Sequence, residues 1–201
     1  MSRFLIIILT LFSSTNTMSQ NQTFDSAVRR LYFDVDIFNA SSSVVDTFSN
    51  FDFLKYNDTV VNQWNLNTSI FMNTKEDAWS SRHVFSFTKS PLSGLKIQSG
   101  QIIVRLGETS KTKKFMGVEW LVDFDNKDDG EIFYKKLKEI FAPLSTKQKT
   151  EYDKLVGHIA QYSTRNENEK GIKDVSFCFG RSPRTKKYQI ALSLFNEFAA
   201  E

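Results

Sequence analysis

The side chains best able to do chemistry in this 201-residue chain are its two histidines, its single cysteine and one dense acidic stretch. His83 precedes the stretch "VFSF" and shares the strand phase of Phe85 and Phe87, which points it inward. Paired with a carboxylate such as Asp123 or Glu119 it could act as a general base in a hydrolase. Its counterpart in a second stretch of similar sequence is Val175, which favours a packing role. His158 follows Asp153 by five residues, a poor spacing for a helical pair. Cys178 lies between Phe177 and Phe179 and opposite in phase. A nucleophilic thiolate needs a base and an electropositive setting. No histidine is near Cys178 in sequence, so it reads as a small inert side chain.

The run "DFDNKDDGE" offers Asp123, Asp125, Asn126, Asp128 and Asp129 as oxygen ligands of the kind calcium takes. Lys127 occupies a position that the helix-loop-helix calcium pattern needs for an oxygen, so the run reads instead as the cap and first turn of a helix. Basic residues gather in two expected hairpin tips, Lys111, Lys113 and Lys114 in one and Arg181, Arg184, Lys186 and Lys187 in the other. With Phe115 and Tyr188 nearby they could meet an anionic polymer or lipid head group, although charged tips also protect sheet edges. Asn21, Asn39, Asn57 and Asn67 each begin an N-x-[ST] triplet. The sequence holds no phosphate loop, nucleophile elbow, zinc-protease helix or cysteine-rich zinc site. No cofactor is implied.

These side chains need elements to hold them. An apolar fraction of 40% with 19 phenylalanines predicts a substantial core, and 8 glycines and 3 prolines leave little for linkers. Residues 1–20 have the outline of a secretory signal: Arg3, an apolar run from Phe4 to Phe12, then small polar residues. That run is about half of a spanning helix, so no transmembrane anchor is expected after cleavage. Without Arg3, 26 basic residues become 25 against 23 acidic ones, a balance that does not point to nucleic acid. One cysteine supports no internal disulfide.

After a flexible segment 21–29, residues 30–198 are expected to form one domain made of a tandem repeat, about 30–108 and about 115–198. "FSFTKSP" at 85–91 returns as "FCFGRSP" at 177–183, "QIIVRL" at 101–106 as "QIALSL" at 189–194, and "VDIFN" at 35–39 as "VDFDN" at 122–126. Collinear order with loop-sized changes of offset is the mark of a diverged duplication. Alternation over Leu31, Phe33, Val35 and Ile37 and over Val118, Trp120, Val122 and Phe124 predicts the first strand of each copy. Helical spacing follows at 44–54 and at 132–144, where Pro143 ends the helix. A further helix is expected over 146–162, with a short counterpart near 58–66. The segment 107–114 is expected to be a hairpin, and the two first strands to meet at the centre of the sheet.

The predicted architecture is a two-layer α+β sandwich, a six-stranded antiparallel sheet with helices on one face. Its other face would carry Asp34, Asp36, Arg105, Glu119 and Asp123. The leading functional expectation is a secreted or periplasmic non-enzymatic protein whose uncovered sheet face binds a macromolecule, a protein or envelope component. The alternative is a carrier of a small apolar or amphipathic ligand in a phenylalanine-rich pocket between helices and sheet. A hydrolase of unfamiliar type stands third.

Overall fold

A computed structural model of the protein describes residues 23–37, 40–61, 72, 78–164 and 174–195. The expected signal segment lies outside these residues, as do Asn21, Asn39 and Asn67. The domain begins earlier than the expected boundary at residue 30. Thr23 and Ser26 cap each other reciprocally, each backbone N–H meeting the other's hydroxyl at 3.0 and 3.1 Å. Helix α1 (Phe24–Leu31) follows and buries Phe24, Ala27, Val28 and Leu31, one stripe at helical spacing.

The helix runs through Leu31, so the predicted first strand over 31–37 does not form. Tyr32 and Leu31 are both fully buried, which strict alternation forbids, and Phe33 and Asp34 turn the chain through positive φ of 55° and 65°. Helix α2 (Val44–Ser49) is one short piece of the expected 44–54 helix and buries Val44 and Phe48. Helix α3 (Lys127–Phe141) matches its prediction. Asn126 caps it by accepting from the Asp129 N–H at 2.8 Å, Asp128 and Asp129 sit in its first turn, and a 3-10 turn holding Pro143 ends it.

The sheet is antiparallel and has eight strands rather than six, β1 (Lys55–Val61), β2 (Trp79–Phe87), β3 (Ser99–Glu108), β4 (Lys113–Phe124), β5 (Lys147–Asp153), β6 (Gly157–Ser163), β7 (Asp174–Arg181) and β8 (Tyr188–Phe195). Their order is β1-β2-β3-β4-β8-β7-β6-β5. Two extra strands come from the segment predicted as the 146–162 helix. There Asp153 Oδ1 accepts from the N–H groups of Leu155 and Val156, at 2.7 and 3.1 Å, and Gly157 takes a φ of 87°. Those turn devices make a hairpin of β5 and β6, and His158 stands on β6 opposite Tyr152. In place of the short helix near 58–66, residues through Val61 form β1; the rest of that segment lies outside the described residues.

The expected hairpin between β3 and β4 forms, closed by Thr109 N–H to Thr112 O at 2.9 Å. With no strand at 31–37, β4 pairs on its other side with β8, so the two predicted first strands do not meet. Helices α1, α2 and α3 pack on one face, while Met72, a helical residue, lies against Gly107 on the other, where Ile103 and Ser80 are also buried. Trp120 and Phe124 pack on Phe133 of α3 at 5.9 and 5.5 Å, Phe85 packs on Phe48 of α2 at 5.6 Å, and Phe141 joins Phe24, Tyr162 and Phe177. The result is an α+β fold built on one antiparallel sheet. Among the described residues no helix is long and apolar enough to cross a membrane.

Candidate functional site

The face turned away from α1, α2 and α3 carries Gly117, Glu119, Leu121 and Asp123 of β4, and its register defines one continuous lateral row. Leu121 pairs with Ala191, Ala191 with Cys178, and Cys178 with Ile159, so four strands contribute one half-buried apolar side chain each. Gln101 and Glu151 end the row on either side. Burial pushes the Cys178 thiol pKa up, the effect of Asp153 adding to it, which keeps the sulfur protonated and weakly nucleophilic, in line with the inert reading from sequence.

Charges flank the row. Arg105 Nε donates to Glu119 Oε1 at 2.6 Å and a terminal guanidinium nitrogen reaches the same oxygen at 2.5 Å. Asp123 Oδ1 accepts from Gln189 Nε2 at 2.8 Å, and its other oxygen accepts from Ser99 at 3.3 Å. Arg105, Glu119 and Asp123 therefore lie on the open face as expected. Asp34 and Asp36 do not, because the strand that would have carried them is a turn. Asp36 pairs with Arg29 of α1 at 2.8 Å, and both aspartates line a surface hollow of about 370 Å³ with Phe33, Val44, Thr47 and Phe51.

The acidic run 123–131, read from sequence as a helix cap rather than a cation site, is spread over two elements. Asp123 is on the sheet, while Asn126 and Asp129 are joined in the helix cap, where Asn126 Nδ2 also donates to Asp129 Oδ2 at 2.8 Å. Asp125 and Asp129 border a hollow of about 260 Å³ with Gln98. Among the described residues no group of three or more metal-ligating side chains converges. The two basic tips lie at opposite ends of the sheet, Lys111, Lys113 and Lys114 at the β3–β4 turn and Arg181, Arg184, Lys186 and Lys187 at the β7–β8 turn. They do not form one anion surface.

His83 points inward as expected, but Glu119 and Asp123 are on the other face, so the hydrolase pairing is not brought together. Its carboxylate neighbour is Glu108, through Ser81. The Ser81 hydroxyl donates to Glu108 Oε1, His83 Nε2 lies 3.2 Å from Ser81 Oγ, and Tyr56 OH lies 3.3 Å from His83 Nδ1. Lys113 reaches Glu108 at 3.5 Å. One proton arrangement satisfies this chain: Nε2–H donates to Ser81 and the Tyr56 hydroxyl donates to a neutral Nδ1. Ser81 is 1% exposed, so a substrate cannot reach its oxygen. The sequence showed none of this grouping, because Tyr56, Ser81 and Glu108 meet only through the β1–β2–β3 register.

Burial lowers the His83 pKa and the Lys113 charge adds to this, against the opposing effects of Glu108 and Asp46. A folded pKa below the unfolded value of about 6.5 means that the unfolded chain binds the proton first. The stability contributed by neutral His83 is complete above that value and is lost as pH falls toward the folded pKa. Urea titrations at about pH 7.5 and 5 should therefore show the wild type losing more stability than His83→Gln. Equal losses would refute this account of the histidine.

Compared with protein-family models, curated proteins and solved structures, the chain matches none.

Proposed function

We propose that this is a secreted or periplasmic, non-enzymatic binding protein that engages a macromolecular partner through the uncovered sheet face. The carrying observation is the register-aligned row Leu121–Ala191–Cys178–Ile159, an apolar strip with the Arg105–Glu119 pair and Asp123 beside it. Such a strip matches the usual anatomy of an interface, an apolar centre with polar groups at its rim. The export signal read from residues 1–20 supplies the compartment. The tandem duplication is part of the same proposal: Phe85 and Phe87 and their matches Phe177 and Phe179 all face the core, and both stretches run into turns at the same end of the sheet.

A photocrosslinking amino acid at Ala191 should trap a discrete macromolecule from the extracellular or envelope fraction of the native source, and Arg105→Glu should reduce that capture severalfold. The same probe at Lys136, on the exposed side of α3, should not trap it. No discrete product at position 191, or an equal product at 136, overturns the proposal. Extra mass retained by the purified protein in native mass spectrometry, with no crosslinked product, favours the carrier. The 370 Å³ hollow beside α2 is the place to seek that ligand, since the phenylalanines between helices and sheet pack on one another.

A further inference from the structure

The β5–β6 and β7–β8 turns emerge side by side at one corner of the sheet. A Cβ placed on Gly157 would lie 2.3 Å from Phe179 O, and one on Gly180 would lie 2.5 Å from Val156 O, so the first turn has its backbone against the end of β7, which leads into the second. Five large apolar side chains are exposed among the described residues, and three of them, Tyr152, Leu155 and Val156, are at this corner. Leu155 is 83% exposed. It does not hang there by looseness, since Asp153 holds its N–H and that of Val156.

Beside that apolar tip stand Lys154 in the same turn and Arg181, Arg184, Lys186 and Lys187 in the next, all but the half-buried Lys187 exposed. Arg181 Nε donates to Lys186 O at 2.8 Å and braces the second turn. Asp153 is the one acid in the two turns. Asp128 and Asp129 lie at the same end but in the helix layer, in the first turn of α3, which leaves the β5–β8 corner itself cationic.

We propose that this corner docks on an anionic lipid surface, with Leu155 and Val156 entering the head-group layer and Lys154, Arg184 and Lys186 meeting lipid phosphates. Leu155 projects into solvent, which suits insertion into a head-group layer. Its leading N–H groups are already bonded within the turn, which removes a penalty for leaving water. Apolar side chains set beside cations are the pairing that anionic interfaces select. The β3–β4 turn at the far end has lysines but, among the described residues, no exposed large apolar side chain. It therefore serves as an internal control.

The test uses the full chain carrying Cys178→Ser, with an environment-sensitive fluorophore on Leu155→Cys or, as control, on Ser110→Cys in the far turn. Site-specific probes separate the corner from any membrane affinity of the apolar run at 4–12. On phosphatidylcholine vesicles containing phosphatidylglycerol, the probe at 155 should shift to the blue and be quenched by brominated lipid, while the probe at 110 should not. Phosphatidylcholine alone should leave both unchanged. Lys154→Glu with Arg184→Glu should weaken the response at 155 by about tenfold or more, given about tenfold for 1.4 kcal/mol and roughly 1 kcal/mol per basic residue at the surface. The milder Lys154→Gln with Arg184→Gln should act in the same direction. No shift at 155 on the anionic vesicles, equal shifts at 155 and 110, indifference to both charge variants, or a shift that rises with protein concentration without vesicles would each overturn the proposal.

Discussion

Phe141→Ala should be among the most damaging single changes in the molecule, lowering stability by about 3–5 kcal/mol. The ring is fully buried and meets three different elements: Phe24 of α1 at 5.4 Å, Phe177 of β7 at 5.0 Å and Tyr162 of β6 at 6.1 Å. Removing it leaves a void where two helices and the sheet converge, and none of the three can move in without losing its own contacts. At about 2–4 °C per kcal/mol for a chain of this size, the midpoint of thermal unfolding should fall by about 10 °C. Ile132→Ala is the matched control. That side chain lies on the same helix but is 56% exposed, and its removal should change stability by no more than about 0.5 kcal/mol. Similar losses for the two variants would mean that α3 does not face the sheet in the manner described.

Gly157→Val should also be strongly destabilising, and for two separable reasons. Its φ of 87° is unfavourable for a residue with a Cβ, a penalty of about 1–2 kcal/mol. The new Cβ would also lie 2.3 Å from the carbonyl oxygen of Phe179, a backbone atom that cannot swing aside as a side chain would. Gly94 separates the two contributions. It has a φ of 78° with nothing within 4 Å of the added carbon, so Gly94→Val should show the conformational penalty alone. The difference in denaturation midpoint between the two variants then measures how tightly β6 holds β7. If Gly157→Val is no worse than Gly94→Val, the turn at 153–157 relaxes freely and its close approach to the end of β7 is not maintained in solution.

Much of the fold was legible because it rests on local patterns. The alternation Val118, Trp120, Val122, Phe124 is a strand with those residues inward, and the spacing of Phe133, Leu137 and Phe141 gives the buried face of α3. The failures came where two periods compete over short runs. Residues 31–37 alternate on paper, yet the capped stripe beginning at Phe24 carries the helix through Leu31. Residues 146–162 hold enough apolar side chains for a helical face, but Asp153 and Gly157 impose a turn and leave Leu155 and Val156 in solvent. Loss of the first of these strands changed the strand order, because it left the outer edge of β4 for β8. The site followed suit. Arg105, Glu119 and Asp123 were found because parity alone places them, whereas the Leu121–Ala191–Cys178–Ile159 row depends on pairings between distant strands that no local pattern encodes.

The two meanders, β1 to β4 and β5 to β8, are built from neighbours in sequence, yet they are joined along the sheet only where β4 meets β8. That seam runs from Phe124 against Tyr188 to Gly117 against Phe195. The first meander can zip from its own hairpin while the second is still being made, but the seam must wait for nearly the whole chain. Contacts of large sequence separation are the slow ones to form. Pulse-labelled amides of β3 should therefore gain protection before those of β8. Until the seam closes, β4 presents an open edge of unpaired backbone groups, the state in which the nascent chain is most exposed to pairing with another copy of itself.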